Sequence, residues 1–452
     1  MKNGKRLFML CVVLLAAGIV FAGGGNQAKT SPGQTEIKVL NYLDMTAANG
    51  ALEITNVWDA FTKANPDINV IREDLFNEPF HQKVEAYAAA GSLPDVIYAW
   101  PSGRSTTLHT NKLLKDLGPL AAKDNLASVM LPGSLLPGAQ GGGYLAILPR
   151  AMTSSHAFYI NNEVLKDAGL TPAKTYAELK AQVPVLKAKG YETIIMANQD
   201  DWVMQSCLFS MVAGRFCGAG WEQKILSGQA KFTDPDFVAA LNFIKTLYDD
   251  GVIPRTALTT EYGASIGQFA TNRSAYYVDG DWRIGAFITD QSTGQALISP
   301  SRQANFQITV FPDIEGAKVN KSTSGILGTG WGMNANIASG SAKEDAAWKL
   351  VKWLSGKETQ IWLLESGGIT TPTRTDIAVG GLKLEPLQIA GSQLAGQYST
   401  TTVVVDGVFE GPVYTPLNVG LQAIGLGGTR AQTPQQVAQA AQTAFEAWKA
   451  GR

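Results

Sequence analysis

Apolar positions along this chain follow two periods in turn. Ile37 and Val39 alternate with polar neighbours as in a strand, then Ile54, Val57, Trp58 and Phe61 recur at the i, i+3, i+4, i+7 spacing of a helix. Asn65-Pro66 stops that helix, and Ile68 and Val70 alternate again. A second helical stripe of Phe80, Val84, Tyr87 and Ala88 ends at Gly91, and Pro94 leads into the apolar run at 95–100. Strands separated by helices of this length predict a mainly parallel sheet covered by helices on both faces.

The rest of the chain repeats this grammar. Thr175 with Glu178 reads as a capping box, Leu179, Val183 and Leu186 form the stripe behind it, and Gly190 ends it. Asp234-Pro235 opens another helix, with Phe237, Ala240, Leu241 and Ile244 facing a core and Gly251 closing it. Ser341 with Glu344 caps a third, which buries Ala347, Leu350, Val351 and Leu354 and stops at Gly356. An alanine-rich amphipathic helix is expected at 435–448. There is no internal repeat, and the class is α/β.

A chain of 452 residues exceeds one average domain, so about two domains of ~150–250 residues are expected. Lys2, Lys5 and Arg6 precede an apolar run at 7–21, and Val20-Phe21-Ala22 sets small residues before Gly23. This is the pattern of a secretory signal over residues 1–22. The run is shorter than the ~20 residues that span a bilayer, and no later stretch matches it, so the mature protein is expected to be soluble and periplasmic. Residues 23–35 (GGGNQAKTSPGQT) read as a flexible leader. Cys11 lies in the middle of the apolar run instead of at its end, so no lipobox is seen, although membrane attachment stays open.

Composition removes further classes. The net charge is −1, and no Lys/Arg run follows the first six residues, which disfavours nucleic-acid binding. Cys207 and Cys217 remain after the signal; pairing across a short loop and burial as two small hydrophobes are both open. Gly263-Ala264-Ser265-Ile266-Gly267 fits the G-x-S-x-G nucleophile pattern, yet His81, His109 and His156 all precede Ser265, and the α/β-hydrolase order needs the histidine after it. The histidines are also too scattered for H-E-x-x-H, and two cysteines cannot complete a zinc site. Asp279-Gly280-Asp281 resembles half a calcium loop, but Arg283 and Gly285 occupy ligand positions, so it reads as a polar turn. No catalytic residue, metal or cofactor is assigned. A glycoside hydrolase needs only two carboxylates, which 38 acidic residues could supply, and it stays as the enzyme alternative.

Four stretches in fixed order carry a resemblance: GSLPDVIYAWPSGRSTTLHTNKLLKDL at 91–117, HAFYINNEVLKDAGLTPAKTYAELK at 156–180, FATNRSAYYVDGDWRIGAF at 269–287, and GWGMNANIASGSAKEDAAWKLVKWLSGKETQ with GGITTPTR at 330–374. Together they make the chain similar to the extracellular solute-binding protein family 1 of carbohydrate importers, the group of maltose-binding protein. The resemblance implies two α/β lobes with a ligand cleft between them. The first lobe would comprise 36–148 plus 312–375 and the second 149–311 plus 376–452, with crossings near Leu148-Pro149-Arg150 and Val310-Phe311-Pro312. It also implies a carbohydrate ligand, ATP-driven importer permease subunits as partners, and a monomer. Glycines 23 to 25 stand where some lineages carry a lipobox cysteine. Pro101-Ser102-Gly103 lacks the acidic residue that maltose-type members place there, so a maltose-specific site is not implied.

A pyranose presents an apolar C–H face that lies on an aromatic ring and a hydroxyl rim that takes charged or amide partners. Ligands of open α/β sheets bind beyond the carboxyl ends of strands. Trp100 ends the run at 95–99, Trp282 follows Asp279-Gly280-Asp281, Trp202 follows Asp200-Asp201, and Trp331 lies among glycines 328, 330 and 332. These four are candidate stacking platforms, with Asp281 beside Trp282 in the family's Gly-x-Trp stretch. Asn41, Tyr42 and Asp44 follow the first strand, Arg104 follows Trp100, and Arg374 lies in the Thr-Thr-Pro-Thr-Arg turn; these are the polar candidates. Trp58, Trp348 and Trp353 sit on helical stripes and are assigned to the core. A peptide, polyamine or phosphorylated polyol is the alternative solute.

Overall fold

The computed structural model describes residues 33–47, 49–101, 103–131, 134–135 and 142–451. The expected signal at 1–22, and the leader up to residue 32, lie outside the described residues. Among the described residues eleven strands form two sheets. They are β1 (Thr35–Tyr42), β2 (Ile68–Leu75), β3 (Val96–Ala99), β4 (Ile147–Ser154), β5 (Ala157–Asn161), β6 (Glu192–Ile195), β7 (Ser274–Asp279), β8 (Phe306–Thr309), β9 (Ser322–Met333), β10 (Thr371–Pro372) and β11 (Ser399–Val403). The larger sheet has the order β10-β4-β9-β3-β1-β2, with β11 on β9, and the smaller has the order β6-β7-β5-β8.

The opening strand-helix-strand run forms as its periodicity dictates. β1 pairs in parallel with β2 and β3, and Val57, Trp58, Phe61, Phe80 and Val84 pack on them from the connecting helices. The later strand β9 runs antiparallel to both β3 and β4, so the sheet is mixed. In the smaller sheet every residue of β5 is buried because both faces are covered: Phe158 and Ile160 enter one core, Ala157 and Tyr159 the other. The first of these cores holds the helices Tyr176–Ala188, Pro235–Asp249, Gly411–Gly425 and Pro434–Ala450. The caps differ in one detail from a closed box: Thr175 and Ser341 accept from the backbones of Glu178 and Glu344, but those carboxylates turn back to the N–H groups of Lys174 and Gly340, one residue earlier.

The chain passes between the sheets at 154–157 and 310–322, and 373–385 leads from β10 to the helix Pro386–Gln397, which packs on the smaller sheet. The first passage lies later than Leu148-Pro149-Arg150, because residues 149–154 still pair with β9. Buried polar groups bind the passages together. Ser155 N donates to Ser324 O at 2.9 Å, and the Ser155 and Ser324 hydroxyls meet at 2.7 Å. Arg215, fully buried, donates to the carbonyls of Phe311, Pro312 and Ser322. The His156 ring spans Cys207 O, 2.6 Å from Nδ1, and the N–H of Phe311, 2.9 Å from Nε2. Because Nε2 accepts from an N–H, the ring is the neutral Nδ1–H tautomer. Cys207 and Cys217 are unpaired. They lie ten residues apart on the continuous helical stretch Trp202–Met204, Gln205–Phe209, Ser210–Cys217, roughly 15 Å at a helical rise and beyond a disulfide's reach.

Burial lowers the His156 pKa to about 3, with Cys207 O opposing and Arg215 assisting. The folded pKa lies below the unfolded one, so this group contributes stability that is complete above about pH 6.5 and is lost as pH falls toward 3. Between pH 7 and pH 4.5 the loss from His156 alone should be about 2–3 kcal/mol. Denaturant unfolding across that range measures the loss, and NMR of the imidazole supplies the check: a His156 that titrates near pH 6.5 in the folded protein contradicts the assignment.

Candidate functional site

Where β4 and β9 leave the larger sheet, a cavity of about 810 Å³ opens between the two sheet units. Its floor is strand backbone, with Ala151, Met152 and Thr153 from β4 and Ile326 and Thr329 from β9. Two aromatic walls face across it.

The first wall grows from the ends of β1 and β3. Tyr42 stacks on Tyr98 at 5.6 Å with 16° between the rings, and Trp100 stands edge-on to both, 5.0 and 5.2 Å away. His81 packs against Trp100 at 4.9 Å. Burial, aided by nearby Arg104, lowers the His81 pKa to about 4, so the ring is neutral at pH 7. The second wall forms where β7 ends. Trp282 folds back over Gly280, where a Cβ would lie 2.3 Å from the indole, so glycine is required there. Trp282 Nε1 donates to Tyr262 Oη at 2.6 Å, and Trp202 lies against both rings at 6.2 and 4.9 Å. Arg283 sits 3.3 Å over the Tyr262 ring and 2.9 Å from Asp279.

Contacts tie the two sides together at the edges of the cavity. Arg104 pairs with Glu78 at 2.6 Å on its own side and with Asp406 at 3.2 Å on the other. Asn49 donates to Ser366 O at 3.0 Å and accepts from Gln291 N at 2.8 Å. Gly285 lies so close to Gly367 that a Cβ would fall 2.3 Å from the Gly367 carbonyl. Asp281 accepts from Ser154 N at 2.9 Å and Thr370 Oγ1 at 2.7 Å, joining the second side to two segments of the first. Burial raises its carboxyl to about 7, opposed by those hydrogen bonds.

Of the sequence candidates, Tyr42, Asp44, Trp100, Arg104, Trp202, Asp281 and Trp282 line this cavity. Three candidates do not. Trp331 is fully buried in the large-sheet core between Trp58 and Tyr98, 5.4 and 5.2 Å away, because β9 is an interior strand and not a loop. Asn41 points to the sheet face opposite Tyr42, as strand alternation requires, and donates to Asp74 at 2.8 Å. Arg374 forks onto Asp376 at 2.9 and 2.7 Å and serves the turn. Glu53, Tyr98, His81, Arg150 and Tyr262 line the cavity without having been candidates. For Arg150 a signal existed, since one cation stands inside the apolar run 145–152. Ser265 lies within the helix Tyr262–Ala270, its buried hydroxyl donating to Tyr262 O at 2.9 Å, so its pattern is not a strand-to-helix elbow. Among the described residues there is no cluster suited to a metal, and no helix long and apolar enough to cross a membrane.

The family model described as bacterial extracellular solute-binding protein matches residues 47–361. No curated protein sequence matches the chain. Solved structures do. A chitin oligosaccharide binding protein aligns with a TM-score of 0.80 at 20% identity, covering 92% of this chain and 100% of that one. A structure from work on xylan utilisation by Caldanaerobius polysaccharolyticus aligns at 0.78 and 20% identity, covering 90% and 99%. The maltose/maltodextrin-binding domain from Bdellovibrio bacteriovorus, bound to maltotriose, aligns at 0.68 and 18%, covering 92% and 100%. All three share the two-lobe fold.

The two tryptophan environments separate in a stability measurement. Trp331→Ala should lower the unfolding free energy by about 3–5 kcal/mol, as for a large side chain removed from a closed core. Trp282→Ala, on a cavity wall, should cost clearly less in the same denaturant titration; equal losses would contradict the assignment of Trp331 to the core and Trp282 to the cleft.

Proposed function

The chain belongs to the bacterial extracellular solute-binding proteins, and from that premise we propose that it captures a neutral mono- or oligosaccharide in the interlobe cavity and delivers it to the permease of an ATP-driven importer, after export to the periplasm. The observation that carries this reading is the pair of facing aromatic walls, Tyr42 and Trp100 on one lobe and Trp202 and Trp282 on the other. Such walls suit the C–H faces of pyranose rings. The cavity volume of about 810 Å³ is at the upper end for a small-molecule site and favours more than one sugar ring.

Charge disfavours an anionic solute. Among the described lining residues the cations are Arg104, Arg150 and Arg283, and each lies beside a carboxylate: Asp406, Glu53 and Asp279 in turn. Each guanidinium thus has a negative neighbour that disfavours a phosphate or a sugar acid. The structural relatives named above include proteins titled for chitin oligosaccharide and maltotriose, which agrees with a carbohydrate ligand. The protein acts by a shift between open and closed states, since a sugar touching both lobes favours the closed one. It binds its ligand without chemical change and works as a monomer.

Thermal unfolding of the mature protein against neutral sugars, sugar acids, peptides and polyamines tests the reading. A binding sugar at ~100 Kd should add about 2.7 kcal/mol of stability, and Trp282→Ala should lose most of that gain. Stabilisation confined to the peptides or polyamines would discard the carbohydrate assignment, and release of reducing sugar by the protein would replace binding with hydrolysis.

A further inference from the structure

Three polar side chains facing the cavity keep a shielded atom with no hydrogen-bond partner: Glu53 Oε1, Arg150 Nε and Trp202 Nε1. Glu53 closes the helix Gly50–Glu53 that follows the β1 loop, and Arg150 lies midway along β4. Both are deeply buried, at 6% and 8% exposure. Arg150 is held over the Tyr98 ring, 5.1 Å from its centre.

These two residues form an ion pair that does not close. Arg150 Nη1 stands 3.6 Å from Glu53 Oε1, whereas Arg72–Asp74, Arg302–Glu163 and Arg374–Asp376, structural pairs in the same chain, all meet at 2.7 Å. A buried pair left open is a poor structural brace, because the desolvation of both ions is not recovered by charge-assisted hydrogen bonds. The open pair leaves hydrogen-bonding capacity for a polar group that enters the cavity.

The chemistry of that group is constrained. A carboxylate at Glu53 only accepts and the Arg150 guanidinium only donates. A carboxylate or phosphate would satisfy Arg150 and be repelled by Glu53, and an ammonium would do the reverse. A hydroxyl does both, so two adjacent hydroxyls can donate to Glu53 and accept from Arg150. We propose that Glu53 and Arg150 are a specificity-determining pair that reads an adjacent hydroxyl pair on the bound sugar, an inference that rests on the carbohydrate reading above.

Calorimetric titration tests it with xylo-oligosaccharides, chito-oligosaccharides, maltotriose and raffinose, the tightest binder being carried into Glu53→Gln and into the double variant Glu53→Gln/Arg150→Gln, which leaves no lone buried charge. Glu53→Gln should bind that sugar at least tenfold more weakly. Deoxy analogues lacking either of two neighbouring hydroxyls should bind the parent protein at least tenfold more weakly, and should suffer no further loss in the double variant. Parent-like affinity in a folded Glu53→Gln overturns the pair while leaving the carbohydrate reading standing. Should the variants not fold, the deoxy series on the parent protein decides: equal affinity for every analogue overturns the proposal. A parent protein that binds none of these sugars overturns both readings.

Discussion

The organisation of this molecule depends on one interior strand of its larger sheet. β9 runs through the interior of the larger sheet at 330–333, and its first residues, 322–325, pair with β11 and the end of β4 beside the passages between lobes. Such a strand can lie flush against β4 only where side chains are absent. A Cβ on Gly330 would fall 2.0 Å from the Leu148 carbonyl, and Gly328 takes a φ of +83° where the register with β4 shifts. The irregular pairing of these two strands makes the floor of the cavity. It fixes the distance between the aromatic walls that rise from either side.

Around that floor, the polar groups fall into two kinds. Those at the passages meet protein partners at hydrogen-bond distance: His156, the Arg215 Nη atoms and the Ser155–Ser324 pair. They hold the lobes in register with no dependence on a ligand. Those at the cavity are incompletely used, and the orphaned atoms of Glu53, Arg150 and Trp202 all lie on residues that face it. Buried polar atoms without partners are costly, and on these three residues a hydroxyl entering the cavity is a candidate partner.

Local rules made much of the fold legible. Helix stripes, the Asn65-Pro66 stop and the Thr175 and Ser341 caps all lie where periodicity and capping chemistry put them. Strand-end reasoning also reached Trp100 and Trp282. What sequence could not supply was pairing. Trp331 stands among glycines, which locally reads as a loop, and only its alignment against Tyr98 and Leu148 makes it a core residue. Asn41 and Tyr42 are adjacent in sequence and opposite in the sheet, so one joins the cleft wall and the other does not. Glu53 and Arg150 are 97 positions apart, and nothing in the sequence pairs them until the fold sets them 3.6 Å from one another.

The central claim is that a neutral sugar is held between the two aromatic walls above the β4–β9 floor. Its most direct test is a crystal structure of the mature protein with the oligosaccharide that stabilises it most. The account predicts sugar density between Tyr42 and Trp100 on one side and Trp202 and Trp282 on the other, with hydroxyls toward Glu53 and Arg150. Density for the sugar elsewhere on the surface, with the cavity holding only solvent, would contradict it.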